Sequence, residues 1–281
     1  MSNLEKIYNR LGELGKSILS LMKIAVLHKK IPALNKLCFN PELVILGNGP
    51  SLKKLLKQDT EFLNGKDKMA VNFASLSDDF KIIKPEYYLL MDPAFFTDEK
   101  NRDKAIGSMV EKVDWEMILF VSSYALRFSD WQKMIASNKN IKIQPFNPTP
   151  IEGIRNINFF LYDLALGMPR PRNVLVACLM TALQQLPYKT IWLGGADHSW
   201  LQELWVDDEN RVHEDLSHFY DKGNPHTVIL DRPLYKTLEG MCVAFKSYLE
   251  VEDYSKKRGV KIYNITEGSY IDAFERRKVD K

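Results

Sequence analysis

The sequence predicts an α/β fold in which helices cover a mainly parallel sheet. Short apolar runs recur along the chain and are separated by helical or loop stretches, which is the pattern of βαβ units. The first run, Leu43 to Leu46, is continuously apolar, as expected for a parallel strand that is buried on both faces. The predicted strands are Leu43 to Leu46, Lys68 to Val71, Glu86 to Met91, Glu116 to Ser122, Ile141 to Gln144, Thr190 to Leu193 and Val260 to Tyr263.

The composition is that of one large globular domain. The chain has 281 residues, of which 45% are hydrophobic, and this is enough to bury a sizeable core. Its net charge of +3 is too small to indicate nucleic-acid binding. Cys38, Cys178 and Cys242 are odd in number and far apart, so we expect buried thiols in a reducing compartment rather than disulfides or a zinc site.

The N-terminal part of the chain predicts a helix outside the main domain. We place this helical extension at residues 1–39, with helix from Leu4 to Leu37, and the main domain at residues 40–281. From Met22 to Lys36, apolar residues are mixed with lysines in a basic amphipathic pattern. Residues 1–37 would therefore attach to a membrane surface or to a partner helix, or else pack on the flank of the domain. The apolar positions at helical spacing are Leu4, Ile7, Leu11, Leu14, Ile18, Leu21 and Met22.

Hydropathy gives no sign of a segment that enters a bilayer. No apolar run approaches the ~20 residues of a transmembrane helix. The N-terminus also lacks the uninterrupted apolar core of a signal peptide. The sequence therefore predicts a cytoplasmic protein, held at the inner face of a membrane if the N-terminal helix attaches there.

The first predicted strand ends in a glycine-rich bend. Gly47, Asn48 and Gly49 are followed by Pro50 and Ser51 at the start of a predicted helix. Glycine adopts φ > 0 without steric cost, and proline suits the first turn of a helix. A strand, a glycine turn and a helix N-terminus together direct backbone N–H groups towards a phosphate. We therefore predict that these five residues bind a nucleotide or a nucleotide-sugar.

Polar residues stand where the first three predicted strands end. These residues are Asn48, Asn72 and Asp92. In parallel sheets, ligands bind outside the carboxyl ends of the strands, so we expect the three side chains to converge on one crevice. The structural alternative is that each of them only caps a helix or forms a turn.

A second chemically rich segment follows the strand Thr190 to Leu193. It carries Gly195, Asp197, His198 and Trp200 within a few residues. Asp197 would orient the following loop or bind a ribose, or it would cap the backbone amides just after it. We count Gly195 and Asp197 among the predicted nucleotide-binding residues.

The segment at about residues 199–231 is predicted as a lid over the crevice, because it has few periodic apolar positions. It carries His213, His218 and His226, with Phe219 and Tyr220 between the last two. The helices predicted elsewhere in the domain are Leu52 to Phe62, Val174 to Leu186, Pro233 to Lys257 and a short tail helix from Ser269 to Arg277.

Common nucleotide-binding and hydrolase motifs are incomplete or missing. The bend lacks the third glycine of G-x-G-x-x-G, because Leu52 stands there, and the second strand ends in Asn72 rather than in an acid. The sequence contains no P-loop, nucleophile elbow or H-E-x-x-H motif. Asp207 and Asp208 either mimic the paired acids of a metal-dependent transferase or form a solvated acid pair. We predict no metal site.

The segment Ile45 to Leu52 resembles the opening motif of the bacterial sialyltransferases of glycosyltransferase family 42. These enzymes group with other proteins that share the sequence GNGPSL, including motility-associated glycosylation factors and 6-hydroxymethylpterin pyrophosphokinase-like proteins. Later landmarks are similar in order: Asn72 matches an asparagine after the second strand, and Lys189 to Asp197 matches Lys-x-Ile-Tyr-Leu-x-Gly-x-Asp. Asp92-Pro93 and Arg172-Asn173-Val174 stand where the sialyltransferases have Asn-Pro and Thr-Ser-Gly.

The resemblance implies a single Rossmann-like nucleotide-binding domain with a lid. It also implies an inverting transfer of sialic acid, Kdo or a similar sugar from a CMP-activated donor to a surface-glycan acceptor, with neither a metal nor a cofactor. Asn173 joins the predicted donor-binding residues because it lies where the sialyltransferases have their Thr-Ser-Gly turn, although the residues there differ. The sialyltransferases can be oligomeric, so a homo-oligomer is among the expected partners.

The resemblance also places a histidine and tyrosines in the loop after the Gly-x-Asp strand. An inverting transfer needs a base for the acceptor hydroxyl, and histidine has a suitable pKa. The candidate bases are His218 first, His226 second and His198 third. Tyr220 is the candidate hydrogen-bond donor to the leaving phosphate, unless it only packs on the domain. Arg232 would help to neutralise that phosphate, although the sequence favours a surface role for it.

Two functions of other classes remain open from the sequence. One is an ATP- and Mg²⁺-dependent phosphotransferase similar to the pterin pyrophosphokinases. The other is a nucleotide-binding protein without catalytic activity. The three functions differ in the nucleotide that should stabilise the native protein, since only a bound ligand raises the unfolding midpoint.

Overall fold

The computed structural model describes residues 2–34, 40–216, 219 and 226–279. In chain order its strands are β1 (Glu42–Leu46), β2 (Asp67–Val71), β3 (Tyr87–Leu90), β4 (Met117–Ser122), β5 (Ile141–Phe146), β6 (Thr190–Gly194), β7 (Leu204–Val206), β8 (Val212–Leu216), β9 (His226–Leu230), β10 (Lys261–Asn264) and β11 (Glu275–Arg276). Its helices are α1 (Asn3–Leu27), α2 (Leu52–Gln58), α3 (Phe80–Ile83), α4 (Ala94–Thr97), α5 (Glu99–Arg102), α6 (Ser108–Lys112), α7 (Asp130–Ala136), α8 (Arg155–Asp163), α9 (Val174–Gln185) and α10 (Leu234–Arg258).

Eight strands form one parallel sheet in the order β11-β10-β6-β1-β2-β3-β4-β5. This confirms the predicted α/β fold with a Rossmann-like sheet. The chain adds β2 to β5 outwards from β1, and then returns to add β6 and β10 on the other side of β1. The strand order therefore reverses between β1 and β6, and open α/β sheets bind their ligands at such a point.

Helices bury both faces of this sheet. In β1, Leu43 and Ile45 belong to the apolar cluster that contains α9, whereas Val44 and Leu46 belong to the cluster that contains the start of α2. Since both faces are covered, the strand is apolar at every one of these positions. Every residue of α9 from Leu175 to Leu183 is buried, so this helix fills the centre of one layer.

The predicted N-terminal helix is too long. α1 ends at Leu27, His28 adopts an extended conformation with ψ at 138°, and residues 29–34 have no regular secondary structure. Pro32 explains part of this, because proline offers no amide donor and disfavours the helical conformation in the residue before it. The basic pattern from Met22 to Lys36 therefore does not lie on one helix. Cys38 falls outside the described residues.

The predicted tail helix from Ser269 to Arg277 is wrong. Its place is taken by irregular backbone that ends in β11, which pairs with β10. The guanidinium of Arg276 donates hydrogen bonds to the carbonyls of Ser269 and Ile271. Side-chain bonds to nearby backbone groups compete with the helical pattern, and here they hold the chain in a turn.

The predicted lid contains an antiparallel sheet, β7-β8-β9, rather than only a loop. Strands of three to five residues alternate with a period of two, so they leave no helical periodicity in the sequence. Asp207 accepts hydrogen bonds from the side chains of Arg211 and His213 and so organises the turn between β7 and β8. Asp208 is exposed to solvent. The two acids therefore do not act as a pair: Asp207 holds the turn, and Asp208 faces solvent.

Two further expectations concern thiols and membrane spans. Cys178 is buried in α9, whereas Cys242 is exposed on α10, so the expectation of buried thiols holds for one of the two described cysteines. In the described ranges, no helix combines the length and the apolar character needed to cross a bilayer.

Candidate active site

A cavity of about 310 Å³ lies at the carboxyl ends of the central strands, where the strand order reverses. It is bounded by the ends of β1, β2, β3 and β6 and by the N-terminus of α9. The structure brings together eight of the ten predicted nucleotide-binding residues around this cavity. They are Asn48, Gly49, Pro50, Asn72, Asp92, Asn173, Gly195 and Asp197. The expected convergence of strand ends is therefore present.

The predicted reason for the glycines in the bend is wrong. Neither Gly47 nor Gly49 has a positive φ. Instead, a Cβ at Gly47 would lie 2.4 Å from the carbonyl oxygen of Gly195, and a Cβ at Gly49 would lie 1.9 Å from the carboxylate of Asp197. The bend after β1 thus packs directly on the bend after β6, and the glycines are needed for this close approach.

Three backbone amides of the bend after β1 already have partners within the chain. The N–H groups of Gly47 and Gly49 donate to the carbonyls of Gly194 and Gly195, at 2.8 and 2.9 Å. Ser51 donates its N–H to one oxygen of Asp197, at 3.2 Å, and its hydroxyl to the other, at 2.7 Å. A carboxylate of the chain itself therefore occupies the start of α2, where we expected a phosphate. Gly47 and Ser51 do not line the cavity.

Three residues around the cavity have left-handed backbone conformations. They are Asn72, Gly195 and His198, with φ of 52°, 67° and 51°. Such conformations are uncommon for residues other than glycine, and they occur most often for asparagine, aspartate and histidine. Each of the three lies shortly after the end of a strand, at the rim of the cavity. Other left-handed residues, Lys84, Ala165 and Asn210, lie away from it.

Two amide side chains at the cavity each have one buried polar atom without a hydrogen-bond partner among the described residues. The NH₂ group of Asn48 donates to the carbonyl of Val71 at 3.2 Å, which leaves the side-chain oxygen unpartnered. The side-chain oxygen of Asn173 accepts from the N–H groups of Leu175 and Val176, at 3.0 and 3.2 Å, which leaves its NH₂ group unpartnered. Buried polar atoms of this kind cost about 1–3 kcal/mol each, so they are the groups that a polar ligand would satisfy.

Tyr248 and His198 form a hydrogen-bond chain that holds the side chain of Asn173 in place. The sequence did not reveal this chain. The hydroxyl of Tyr248, on α10, donates to the side-chain oxygen of Asn173 at 2.8 Å and lies 2.7 Å from Nε2 of His198. Because the hydroxyl proton is used towards Asn173, Nε2 of His198 must donate to the tyrosine oxygen. His198 therefore carries its proton on Nε2, and no hydrogen bond in the described part of the chain involves Nδ1.

His198 is held neutral by its surroundings. Burial lowers its pKa to about 3. Its ring packs on Trp200 with a distance of 4.0 Å between the ring centroids, and both residues line the cavity. A neutral imidazole with an unprotonated Nδ1 accepts hydrogen bonds at neutral pH but is a weak base, so His198 is better suited to bind than to abstract a proton.

The lid contacts the bend after β1 through Phe219. This residue is buried in the apolar cluster that contains the start of α2, and its N–H donates to the carbonyl of Asn48 at 3.0 Å. The predicted catalytic residues His218 and Tyr220 fall outside the described residues. His226 begins β9 and pairs with Leu216, and its side chain also falls outside the described part. Their catalytic roles stay predictions.

Asp92 and Arg232, two further predicted residues, make local hydrogen bonds. Asp92 is exposed and accepts the N–H of Ala94 at 2.9 Å, which is the helix-capping alternative, although it also borders the cavity. Arg232 donates to the hydroxyl of Thr237 at 3.0 Å and borders a neighbouring cavity of about 840 Å³ instead. Arg172 and Trp200 line both cavities. Among the described residues, no cluster of three or more metal-ligating side chains occurs.

Comparisons with known proteins point to the fold. No model of a known protein family matches the chain, and no curated protein matches it closely enough to be called a relative. Among solved structures, the MAf glycosyltransferase from Magnetospirillum magneticum AMB-1 superposes with a TM-score of 0.51 at 9% identity. The match covers 94% of this chain and 38% of the other. At this identity the likeness concerns architecture, so the chain has the fold of a part of a glycosyltransferase about two and a half times its length.

Proposed function

We propose that the protein is a glycosyltransferase that binds a CMP-activated sugar in the cavity between β1, β6 and α9. The observation that carries the proposal is the pair of buried, unpartnered amide atoms on Asn48 and Asn173 at the edge of the sheet where open α/β folds bind ligands. The fold likeness to the MAf glycosyltransferase supports the reaction class. The sugar would be sialic acid, Kdo or a similar acid, and the acceptor a surface glycan.

The two amide groups complement the edge of a nucleobase. Asn48 offers an acceptor, and Asn173 offers a donor. Cytosine presents an amino donor beside ring and carbonyl acceptors, so it carries a partner for each of the two groups. The flat ring of Trp200 at the same cavity gives a surface on which a base or a sugar would stack.

The start of α9 is the natural place for the phosphate of the donor. α9 has twelve residues, and the partial positive charge at its N-terminus attracts anions. Arg172 stands two residues before the helix, borders the cavity and makes no ion pair among the described residues. In the proposed reaction, these groups neutralise the charge on the leaving phosphate without a metal, and Tyr220 donates a further hydrogen bond to it.

The proposed chemistry is a single displacement with inversion. A base removes the proton of the acceptor hydroxyl while that oxygen bonds to the anomeric carbon, and the bond from this carbon to the phosphate oxygen breaks. We assign the base to His218, with His226 as the second candidate, because burial and the bond to Tyr248 make His198 a poor proton acceptor. His198 and Tyr248 then act as positioning residues for Asn173.

Asn173→Asp tests the site most directly. Aspartate keeps the oxygen that caps α9 and replaces the unpartnered NH₂ donor with a second acceptor, so CMP affinity should fall about tenfold or more while the fold is retained. The matched control is Asn64→Asp, which makes the same charge change at an exposed residue away from the cavity. Binding is measured by calorimetry and by the shift of the unfolding midpoint with CMP in the absence of Mg²⁺.

The same midpoint screen separates the other functions. Stabilisation by ATP with Mg²⁺, and not by CMP, would favour a phosphotransferase related to the pterin pyrophosphokinases. No shift with any nucleotide would favour a protein without a nucleotide site. Equal CMP affinity in the wild type and in Asn173→Asp would remove the cavity from the donor-binding role.

A further inference from the structure

α1 presents an unusually large apolar surface. Eleven apolar side chains of this helix are between 45% and 80% exposed. They are Leu4, Ile7, Tyr8, Leu11, Leu14, Ile18, Leu19, Leu21, Met22, Val26 and Leu27. The largest apolar patch on a typical monomer is about 300–600 Å² and is often functional, so eleven neighbouring side chains on one helix require a partner.

The contacts of α1 with the body of the protein fix the direction in which this surface points. The hydroxyl of Ser17 accepts the N–H of Ile154, and Ser20 exchanges two hydrogen bonds with the backbone of Glu152, all at 2.8 to 2.9 Å. Gly153 allows the close approach, because a Cβ there would lie 2.2 Å from the hydroxyl oxygen of Ser17. The helix therefore docks through Ser17, Ser20 and the buried side chain of Ile24, and holds its broad apolar side outwards.

Ten of these eleven exposed apolar residues, all except Leu27, form one broad, uncharged arc. At 100° per residue, the positions from Leu21 round to Leu19 span about 160° of the helix circumference, and no charged residue falls within that span. The side chains that dock on the body, Ser17 and Ser20, lie outside it. An arc of this width is typical of a helix that lies flat in an interface between an apolar and a polar phase.

Positive charge is concentrated on the same segment. Residues 2–34 contain six basic and two acidic residues, whereas the whole chain has a net charge of +3, so the remainder of the chain is slightly acidic. The basic residues are Lys6, Arg10, Lys16, Lys23, Lys29 and Lys30. A basic, amphipathic segment on an otherwise nearly neutral protein is complementary to anionic headgroups.

A second copy of the chain fits this surface less well. Leu4, Ile7 and Leu11 begin a regular three-four spacing that continues to Leu21, which is the seam of a coiled coil. A two-stranded seam is narrower than the arc and would leave the exposed residues beside it uncovered. These are Tyr8, Leu19, Met22 and Val26. The positions that flank such a seam carry Arg10 as their one charged residue, so they offer no pattern of interhelical ion pairs.

We propose that α1 lies in the surface of an anionic membrane, with its apolar arc among the acyl chains and its lysines at the headgroups, and that its serine contacts hold the domain against that surface. The helix would lie along the membrane and not cross it. This inference is independent of the nucleotide site, since it rests on α1 and the basic residues just after it.

Vesicle flotation of the full-length protein tests the proposal. One set of vesicles is phosphatidylcholine, and the other contains about one third phosphatidylglycerol. We expect binding to the anionic vesicles that weakens at about 0.5 M salt but does not vanish, because the apolar contact is not screened. Leu11→Glu combined with Ile18→Glu should lower the fraction bound about tenfold or more, since both residues lie near the centre of the arc.

The matched control is Ile82→Glu, which places the same charge at a residue of α3 that is 75% exposed. All variants change exposed positions, so circular dichroism and the unfolding midpoint should stay as in the wild type. Equal binding of the double variant and the wild type would overturn the proposal. So would a dimer in ultracentrifugation that the double variant abolishes while the wild type fails to bind vesicles, which would assign the surface to a second copy.

Discussion

Two helices begin at the crevice between β1 and β6, and their N-termini differ in what satisfies them. At α2, the carboxylate of Asp197 accepts both the N–H and the hydroxyl of Ser51, so this N-terminus is closed by the chain itself. At α9, Asn173 caps the helix with its oxygen and leaves its NH₂ group at the cavity without a partner among the described residues. Of these two helix caps, the one at α9 therefore keeps an unpartnered polar group, although the glycine-rich motif lies at α2.

This difference shows that one sequence pattern serves two physical purposes. A glycine turn between a strand and a helix is needed where a phosphate approaches the backbone, and equally where another bend of the same protein does so. Here the second cause applies, since Gly47 and Gly49 contact the bend after β6. The motif marks the crevice, and in the proposed function the anion-binding end is the start of α9 rather than the start of α2.

If the cavity beside α9 is the reaction centre, the largest effect should come from the lid. His218→Ala should lower the turnover of sugar transfer by about 10²–10⁴-fold, which is the usual contribution of a general base. CMP affinity should stay unchanged, because the base acts on the acceptor. Turnover is measured with a CMP-sugar donor, and affinity with CMP alone.

His226→Ala is the comparison for this variant. A large loss with His226→Ala and none with His218→Ala would exchange the two roles. Full turnover in both variants would contradict the assignment of the base to the lid and return the role to His198.

Gly47→Ala tests the close packing between the bend after β1 and the bend after β6, next to the start of α2. The new Cβ would meet the backbone oxygen of Gly195 at 2.4 Å, and the two bends would have to separate. We expect a loss of about 3 kcal/mol or more in the free energy of unfolding, measured in urea. Gly12→Ala is the control, because a Cβ there meets nothing within 4 Å and alanine favours a helix. A Gly47→Ala protein as stable as the wild type would show that the bends are not tightly packed.

Near the start of α9, the buried His198 should make the stability of the folded protein depend on pH. The buried imidazole of His198 has its pKa lowered to about 3, whereas an unfolded histidine titrates near 6.5. Below pH 6.5 the unfolded state therefore binds a proton that the folded state does not, and stability falls as the pH drops from 6.5 towards 3. By linkage, the loss reaches about 2 kcal/mol at pH 5 relative to pH 8.

His198→Gln should remove this part of the pH dependence, because glutamine keeps an N–H donor for Tyr248 and does not titrate. The measurement is the urea midpoint of both proteins at pH 8, 6.5 and 5. Parallel curves for the variant and the wild type would show that His198 is accessible to protons in the folded protein.

The sequence predicted the features that depend on neighbouring residues or on the general geometry of parallel sheets. The strand β1 was predictable because burial on both faces leaves only apolar residues in it. The convergence of Asn48, Asn72 and Asp92 was predictable because all three stand at carboxyl ends of strands, which share one edge. Asn173 was predicted through a resemblance, and the structure places it at the same edge.

The features that the sequence did not predict depend on contacts between distant residues. Ser51 and Asp197 are 146 positions apart, and Tyr248 is 75 positions from Asn173. A tyrosine in the middle of α10 has no local pattern that distinguishes it from a residue that only packs in the core. The antiparallel sheet of the lid was missed for another reason, since β8 has three polar residues, His213, Glu214 and Asp215, in place of the apolar run of a buried strand.

The smallest expected effect comes from Asp197→Asn, which tests whether the N-terminus of α2 also takes part in ligand binding. Asp197→Asn keeps one oxygen for the N–H of Ser51, and its new NH₂ group can donate to the serine hydroxyl. Only the attraction between a negative charge and the helix end is lost, so stability should fall by about 0.3–1 kcal/mol. If Asp197 serves only to close α2, CMP affinity should change by less than about twofold. A tenfold loss of CMP affinity at unchanged stability would instead assign Asp197 to the ribose, and both helix ends would then belong to the binding site.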